Sequence, residues 1–228
     1  MVGNPDVTRY ASQLLHKAAV GDRLPTPVDD IVACADLVVS RDVTLSQKSK
    51  ELSFQFPLRL RSAIRKIVGL VDLREDVIYL NHQILPQKRN FVTLHEVGHK
   101  VLPWQRQTYL YVDDDISLNL DICQQFEQEA NQFAADVLFQ MGRFAEDAGS
   151  LPFTIMSPIT LARRYGASAH AAIRRYPHRF PQGDLVMDDV DGRATPCNFE
   201  VFTNSYDTFV FIYPRYEKAQ SIWPRLTS

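Results

Sequence analysis

The chain has 228 residues, 45% of them hydrophobic and 23% charged, with 25 Lys and Arg against 27 Asp and Glu for a formal net charge of −2. That length suits one buried core, alone or with a small appendage, and the charge balance excludes a purely electrostatic case for nucleic acid or an anionic membrane as partner. No apolar run reaches the ~18 residues of a membrane helix, and MVGNPDVTRY lacks the charged-then-apolar layout of a secretory signal, so no membrane partner and a cytoplasmic location are expected.

In chain order, DVTRYASQLLHKAAV (6–20) spaces its apolar residues three and four apart, as an amphipathic helix does. GDRLPTP breaks it, and Pro27, Asp29 and Asp30 open a second helix reaching Leu37. FQFPLRL and DVIYL have strand character and predict a small antiparallel sheet, with a helix or long turn around RSAIRKIVGL between them. A helix follows from about Asn90 to Leu102, because Pro103 cannot continue it. After an Asp-rich loop (Asp113, Asp114, Asp115), DICQQFEQEANQFAADVLFQM predicts a second strong helix from Ile122 to Met141. Shorter helices fit SPITLARRYG and SAHAAIRRY, with Ser168 as N-cap of the latter. From Asp184 onward, FEVFTN and TFVFIY alternate β-branched and aromatic residues, predicting a β appendage. Cys34, Cys123 and Cys197 are too scattered for a zinc ribbon or redox pair and are expected to be reduced.

The chemistry concentrates in TLHEVGHKVLPW. On a helix His95 and His99 lie one turn and about 40° apart, which puts both imidazoles on one face, suited to two corners of a tetrahedral zinc site. Glu96 then reaches a water at an open position as general base. A charged helix that happens to carry two histidines is the competing reading.

A third ligand is expected on a helix packed against the first, and FEQEANQFAAD offers Glu127 and Glu129. Glu127 shares its face with Ala130, Asn131 and Ala134, small residues that permit close approach. Glu129 lies roughly 200° away with Gln125, Gln132, Phe133 and Asp136. Phase favours Glu127, although Phe133 shows that the second face is not wholly exposed. Asn131 is placed to hydrogen-bond a ligand from behind, or else to pack as a helix amide. His16, His82, His170 and His178 fall outside any ligand spacing.

Three ordered segments carry a resemblance: HEVGH, EQEANQFAADVLF beginning with Glu127, 28 residues after His99, and LARRYGASAHAAIRRY. Together with VDLREDVIYLN and TPVDDIVACADL, they resemble the ImmA/IrrE metallopeptidases over about residues 26–176. The resemblance implies an α+β fold: a gluzincin-like zinc metallopeptidase core with a small antiparallel sheet (1–145), a helix-turn-helix-like helical segment (146–183) and a short C-terminal β appendage (184–228). It implies Zn2+ as cofactor, His95, His99 and Glu127 as its ligands, and Glu96 as the catalytic glutamate. It also implies the substrate, a helix-turn-helix transcriptional repressor cut once to relieve repression under stress, phage infection or DNA damage, with DNA as a possible activating signal. The chain departs from the family at VLFQM, where a leucine pair, a methionine and a proline are common.

Hydrolysis needs a donor to transition-state charge. Tyr109 and Tyr111, expected on the loop between the two ligand helices, are candidates, with half-buried packing as the alternative. Cys123, four residues before Glu127, shares its face, and its thiolate would make an inhibitory zinc ligand in a latent state if it reached the open position. Of a different class is a DNA- or signal-binding regulator with a structural or vestigial metal, supported by Arg163, Arg164, Arg174, Arg175 and Arg179. An intact Glu96 argues for the enzyme.

Overall fold

The structure, a computed structural model, describes residues 3–40, 69–82, 84–111, 120–152, 154, 156–176, 185–188, 194–203 and 208–214. The expected strand FQFPLRL, most of RSAIRKIVGL, the Asp113–Asp115 loop, His178 and Arg179 lie outside the described residues.

Helix α1 (Pro5–Lys17) starts where Asn4 caps it, the side-chain oxygen accepting from Asp6 N at 3.0 Å, with proline at the first turn. Its apolar stripe, Val7, Ala11 and Leu14, is buried. Helix α2 (Val28–Cys34) ends at Asp36, whose positive φ of 57° turns the chain into β1 (Val38–Ser40). Strands β2 (Gly69–Asp72) and β3 (Val77–Leu80) form a hairpin whose turn is held by Asp72, its Oδ1 accepting from Arg74 N and Glu75 N.

The sheet corrects the antiparallel expectation. Its order is β1-β3-β2, with β3 antiparallel to β2 but parallel to β1. Parallel neighbours need a connection of a dozen residues or more, and the sequence distance from Ser40 to Val77 is ample for one. The helix expected to reach Leu37 stops at Cys34, and β1 begins directly after Leu37.

Helix α3 (Pro86–Val101) carries HEVGH, and α5 (Leu120–Leu138) carries EQEAN. They meet at Gly98, where an added Cβ would lie 3.3 Å from Ala130 Cα and 3.2 Å from Phe133 Cδ1. The absent side chain and the small Ala130 are what let the two backbones approach. Helix α3 stops just before Pro103 as expected, with Leu102 extended, but Pro103 also opens a further helix, α4 (Pro103–Tyr111), where a missing N–H costs no helical bond. The two tyrosines expected on a loop therefore belong to a helix.

Helices α6 (Arg143–Gly149), α7 (Met156–Tyr165) and α8 (Ala169–Arg175) complete the helical body. Phe139, Phe144 and Tyr165 form an aromatic cluster with ring centroids 4.6–6.0 Å apart. Gly166 ends α7 with φ 69°, and Ala167 N bonds Ala162 O at 2.8 Å, closing the helix as a left-handed cap does. Ser168 caps α8 as expected, accepting from Ala171 N. Buried Asp136 of α5 accepts from Thr8 of α1 and Arg175 of α8, each at 3.0 Å, so one carboxylate fastens three helices. A separate antiparallel sheet has the order β4 (Leu185–Asp188), β5 (Ala194–Thr203), β6 (Thr208–Pro214), matching the alternation read in FEVFTN and TFVFIY. Among the described residues no helix is long and apolar enough to cross a membrane.

Candidate metal centre

Two helices and one sheet edge build the site. From α3, His95 and His99 point Nε2 at each other, 3.1 Å apart. From α5, Glu127 brings Oε2 to 3.3 Å from His95 Nε2 and Oε1 to 3.6 Å from His99 Nε2. These three side chains are a group among the described residues that could hold a metal, their donor atoms all within 4.8 Å of one another. The donor set fits one ion. Bonds of about 2.0–2.2 Å to a tetrahedral zinc give ligand-to-ligand edges of about 3.3–3.6 Å, close to the spacings seen. Two unprotonated ring nitrogens at 3.1 Å also repel unless something positive lies between them.

The electrostatics set the two histidines apart. Burial, followed by the neighbouring His95, lowers the pKa of His99 to about 4, so its imidazole is neutral, the form a ligand needs. Burial opposes the charge on His95, but hydrogen bonding to Glu127 and the charges of Glu96 and Glu127 raise its pKa overall. For Glu127, burial is outweighed by the hydrogen bond to His95 and by both histidines, and its pKa falls.

Glu96 lies buried beside this group, and burial raises its pKa to about 7 against the opposing pull of His95. Its carboxylate accepts from the backbone N–H of Val71 on β2. Gly69 of the same strand makes room for it, since a Cβ there would stand 3.0 Å from Glu96 Oε1 and 2.6 Å from Val92 Cγ1.

Behind the histidines stand two amides. Asn131 Oδ1 lies 3.1 Å from His95 Nδ1, the contact its position one turn after Glu127 suggested. Gln105 Oε1 lies 2.7 Å from His99 Nδ1, a contact sequence reasoning missed because Pro103 was read as the end of helical structure. Glu129 is not part of the donor group. It is buried and accepts from Asn4, Trp104, Gln105 and Gln125. The face it shares with Phe133 and Asp136 is the inner one, covered by α1 and α4.

Tyr109 sits on α4 between His99 and Phe126, with each ring centroid 5.7 Å away. Burial, then the charge of Glu127, raises its pKa, so the phenol keeps its proton. The Tyr111 side chain lies outside the described residues. Cys34 and Cys123 are free thiols. Cys123 is half-buried, its pKa raised by burial and by Glu127, and the donor group does not include it. Of the arginines, Arg175 is paired with Asp136 and Arg164 with Asp147 at 3.3 Å, which ties them to the body of the protein. His16 and His82 are exposed and outside the group.

A family model described as the IrrE N-terminal-like domain of Peptidase M78 matches residues 55–176. No curated protein matches the chain. Among solved structures the chain is similar to a Mycobacterium tuberculosis transcriptional regulator, with a TM-score of 0.51 and 17% identity, covering 84% of this chain and 54% of that one. The likeness is one of fold, and the chain spans about half the length of that regulator.

Proposed function

The chain belongs to the Peptidase M78 family, with its IrrE N-terminal-like domain at residues 55–176, and on that premise we propose that it is a zinc-dependent endopeptidase that cuts a partner helix-turn-helix repressor at one site. The observation that carries the reading is the convergence of His95 Nε2, His99 Nε2 and the Glu127 carboxylate next to a buried Glu96. In this reading His95, His99 and Glu127 hold the metal. When bound, zinc polarises a scissile carbonyl and makes water a nucleophile near neutral pH.

The chain's own residues supply the remainder. Glu96, buried beside the donor group, accepts the proton of the attacking water at its carboxylate and returns it to the leaving amine. The Val71 N–H and the space at Gly69 fix where that carboxylate sits. Tyr109, neutral and against His99, is the candidate donor to transition-state charge. Residues 1–145 form the peptidase unit in this proposal, 146–183 a helix-turn-helix-like segment and 184–228 a β appendage. The setting is the cytoplasm, with repression relieved under stress, phage infection or DNA damage and DNA as an activating signal.

The binding-module alternative finds less support, because Arg164 and Arg175 are already engaged by acids. The test is co-expression with repressors encoded beside the gene, comparing the wild type with Glu96→Gln. Cleavage by the wild type, lost in a Glu96→Gln variant that still binds one zinc, supports the enzyme. Stoichiometric zinc without cleavage of any repressor or general substrate counts against it.

A further inference from the structure

The amide of Gln105 occupies a place the proposed chemistry has not used. Its side chain is wholly buried, and its carbonyl oxygen lies 2.7 Å from His99 Nδ1. Its nitrogen faces two acceptors, Phe126 O at 3.1 Å and Glu129 Oε2 at 2.8 Å. A flipped amide would turn its oxygen toward both of those oxygens, so only one orientation is satisfied. That orientation presents an acceptor to His99, which must then carry its proton on Nδ1. The Nε2 lone pair is left facing His95 and Glu127.

Glu129 is in turn held. Trp104 Nε1 donates to its Oε2 at 2.6 Å, and Asn4 Nδ2 and Gln125 Nε2 donate to its Oε1 at 3.1 and 3.0 Å. Asn4 is the N-cap of α1, and its backbone N–H donates to Gln132 Oε1 at 2.9 Å. A continuous chain of hydrogen bonds therefore runs from the first turn of α1 through Glu129 and Gln105 to His99. Every link is directional: the carboxylate only accepts, the indole only donates, and the glutamine passes the polarity on to the imidazole.

We propose that Gln105, oriented by Glu129, is a positioning residue that fixes the tautomer and ring plane of His99 and so sets the affinity of the centre for its metal. Partners behind a metal-bound histidine are commonly a carboxylate or a carbonyl that receives the other ring N–H. Here a neutral amide stands in direct contact, and the carboxylate is set one residue further back. The arrangement gives the imidazole a fixed partner without placing a second full negative charge beside Glu127.

The inference rests on the zinc reading above, and the experiment separates the two. Zinc affinity is measured by competition with a chelator for wild type, Gln105→Leu, Gln105→Met and Glu129→Gln, together with cobalt absorption spectra and melting of each metal-free protein. The nitrogen shifts of the His99 ring are recorded for the metal-free wild type by NMR. The expected results are one zinc per wild-type chain, a loss of affinity of about 10- to 100-fold in Gln105→Leu and Gln105→Met, an altered cobalt spectrum, and His99 protonated on Nδ1. Glu129→Gln is expected to weaken zinc by a smaller factor, since it leaves the amide of Gln105 in place but loosens it. A wild type that takes up no zinc overturns both readings. A wild type that binds zinc while the Gln105 variants bind it equally tightly, with an unchanged cobalt spectrum, overturns this inference alone. His99 protonated on Nε2 in the metal-free wild type does the same, and that measurement needs no variant to fold.

Discussion

Glu127 and Glu129 stand two residues apart on one helix and live in opposite surroundings. Glu127 is 56% exposed and has two imidazoles as its close partners. Glu129 is 5% exposed and accepts four hydrogen bonds from neutral donors. A carboxylate oxygen has about two lone pairs to give, so those of Glu129 are committed within the protein while Glu127 keeps capacity for a cation. What distinguishes a ligand from a structural acid is the number of donors it already serves, more than its burial or its charge.

The sharpest way to break this contrast is Glu127→Ala, expected to take zinc from one per chain to none by elemental analysis while the metal-free fold melts as before. Glu129→Ala should do the reverse at saturating zinc: stoichiometry is kept, but Trp104, Gln105, Asn4 and Gln125 lose their acceptor. The expected destabilisation is about 3 kcal/mol, since buried unsatisfied donors cost about 1–3 kcal/mol each and relaxation recovers part of that. Urea unfolding reads it. Equal zinc loss in both variants would erase the distinction.

Smaller effects sharpen it. Asn131→Ala should lower zinc affinity about tenfold by freeing His95 Nδ1, read by chelator competition. For Glu129, burial raises the pKa, but the hydrogen bonds from Trp104, Gln125, Gln105 and Asn4 win and lower it. A depressed folded pKa gives stability that is fully present above the ordinary carboxylate range and is lost as pH falls through the folded value. Unfolding of the metal-free protein between pH 7 and pH 3 should therefore show a decline for wild type that is shallower in Glu129→Gln. Parallel curves would mean that the donors do not favour the ionised form.

Much of this was legible in the sequence because it depended on a single helical period. His95, Glu96 and His99 follow from spacing in one segment, and the preference for Glu127 follows from phase on another. The family model at residues 55–176 bears out the resemblance read from those same segments. Ser168 as a cap is likewise a local matter. What depended on tertiary contact was not legible. Pro103 looks the same whether it stops a helix or starts one, so α4 went unread, and with it the contact of Gln105 with His99. The inner face of α5 looked polar because Glu129, Gln132 and Asp136 are polar; each has a partner at Asn4 or Thr8, more than 120 residues away in sequence. The parallel pairing of β1 with β3 was hidden because Val38–Ser40, only three residues long, was not read as a strand.

The clasp between Asn4 and Gln132 joins positions 128 residues apart. Closing so long a loop is entropically costly, although the cost grows only slowly with length. During synthesis α1 emerges well before α5, so Asn4 cannot make its bonds to Glu129 and Gln132 until α5 has left the ribosome. The candidate metal centre, whose surroundings reach back to Asn4, thus needs both ends of the helical body: a chain ending before α5 has two histidines but not the Glu127 that faces them.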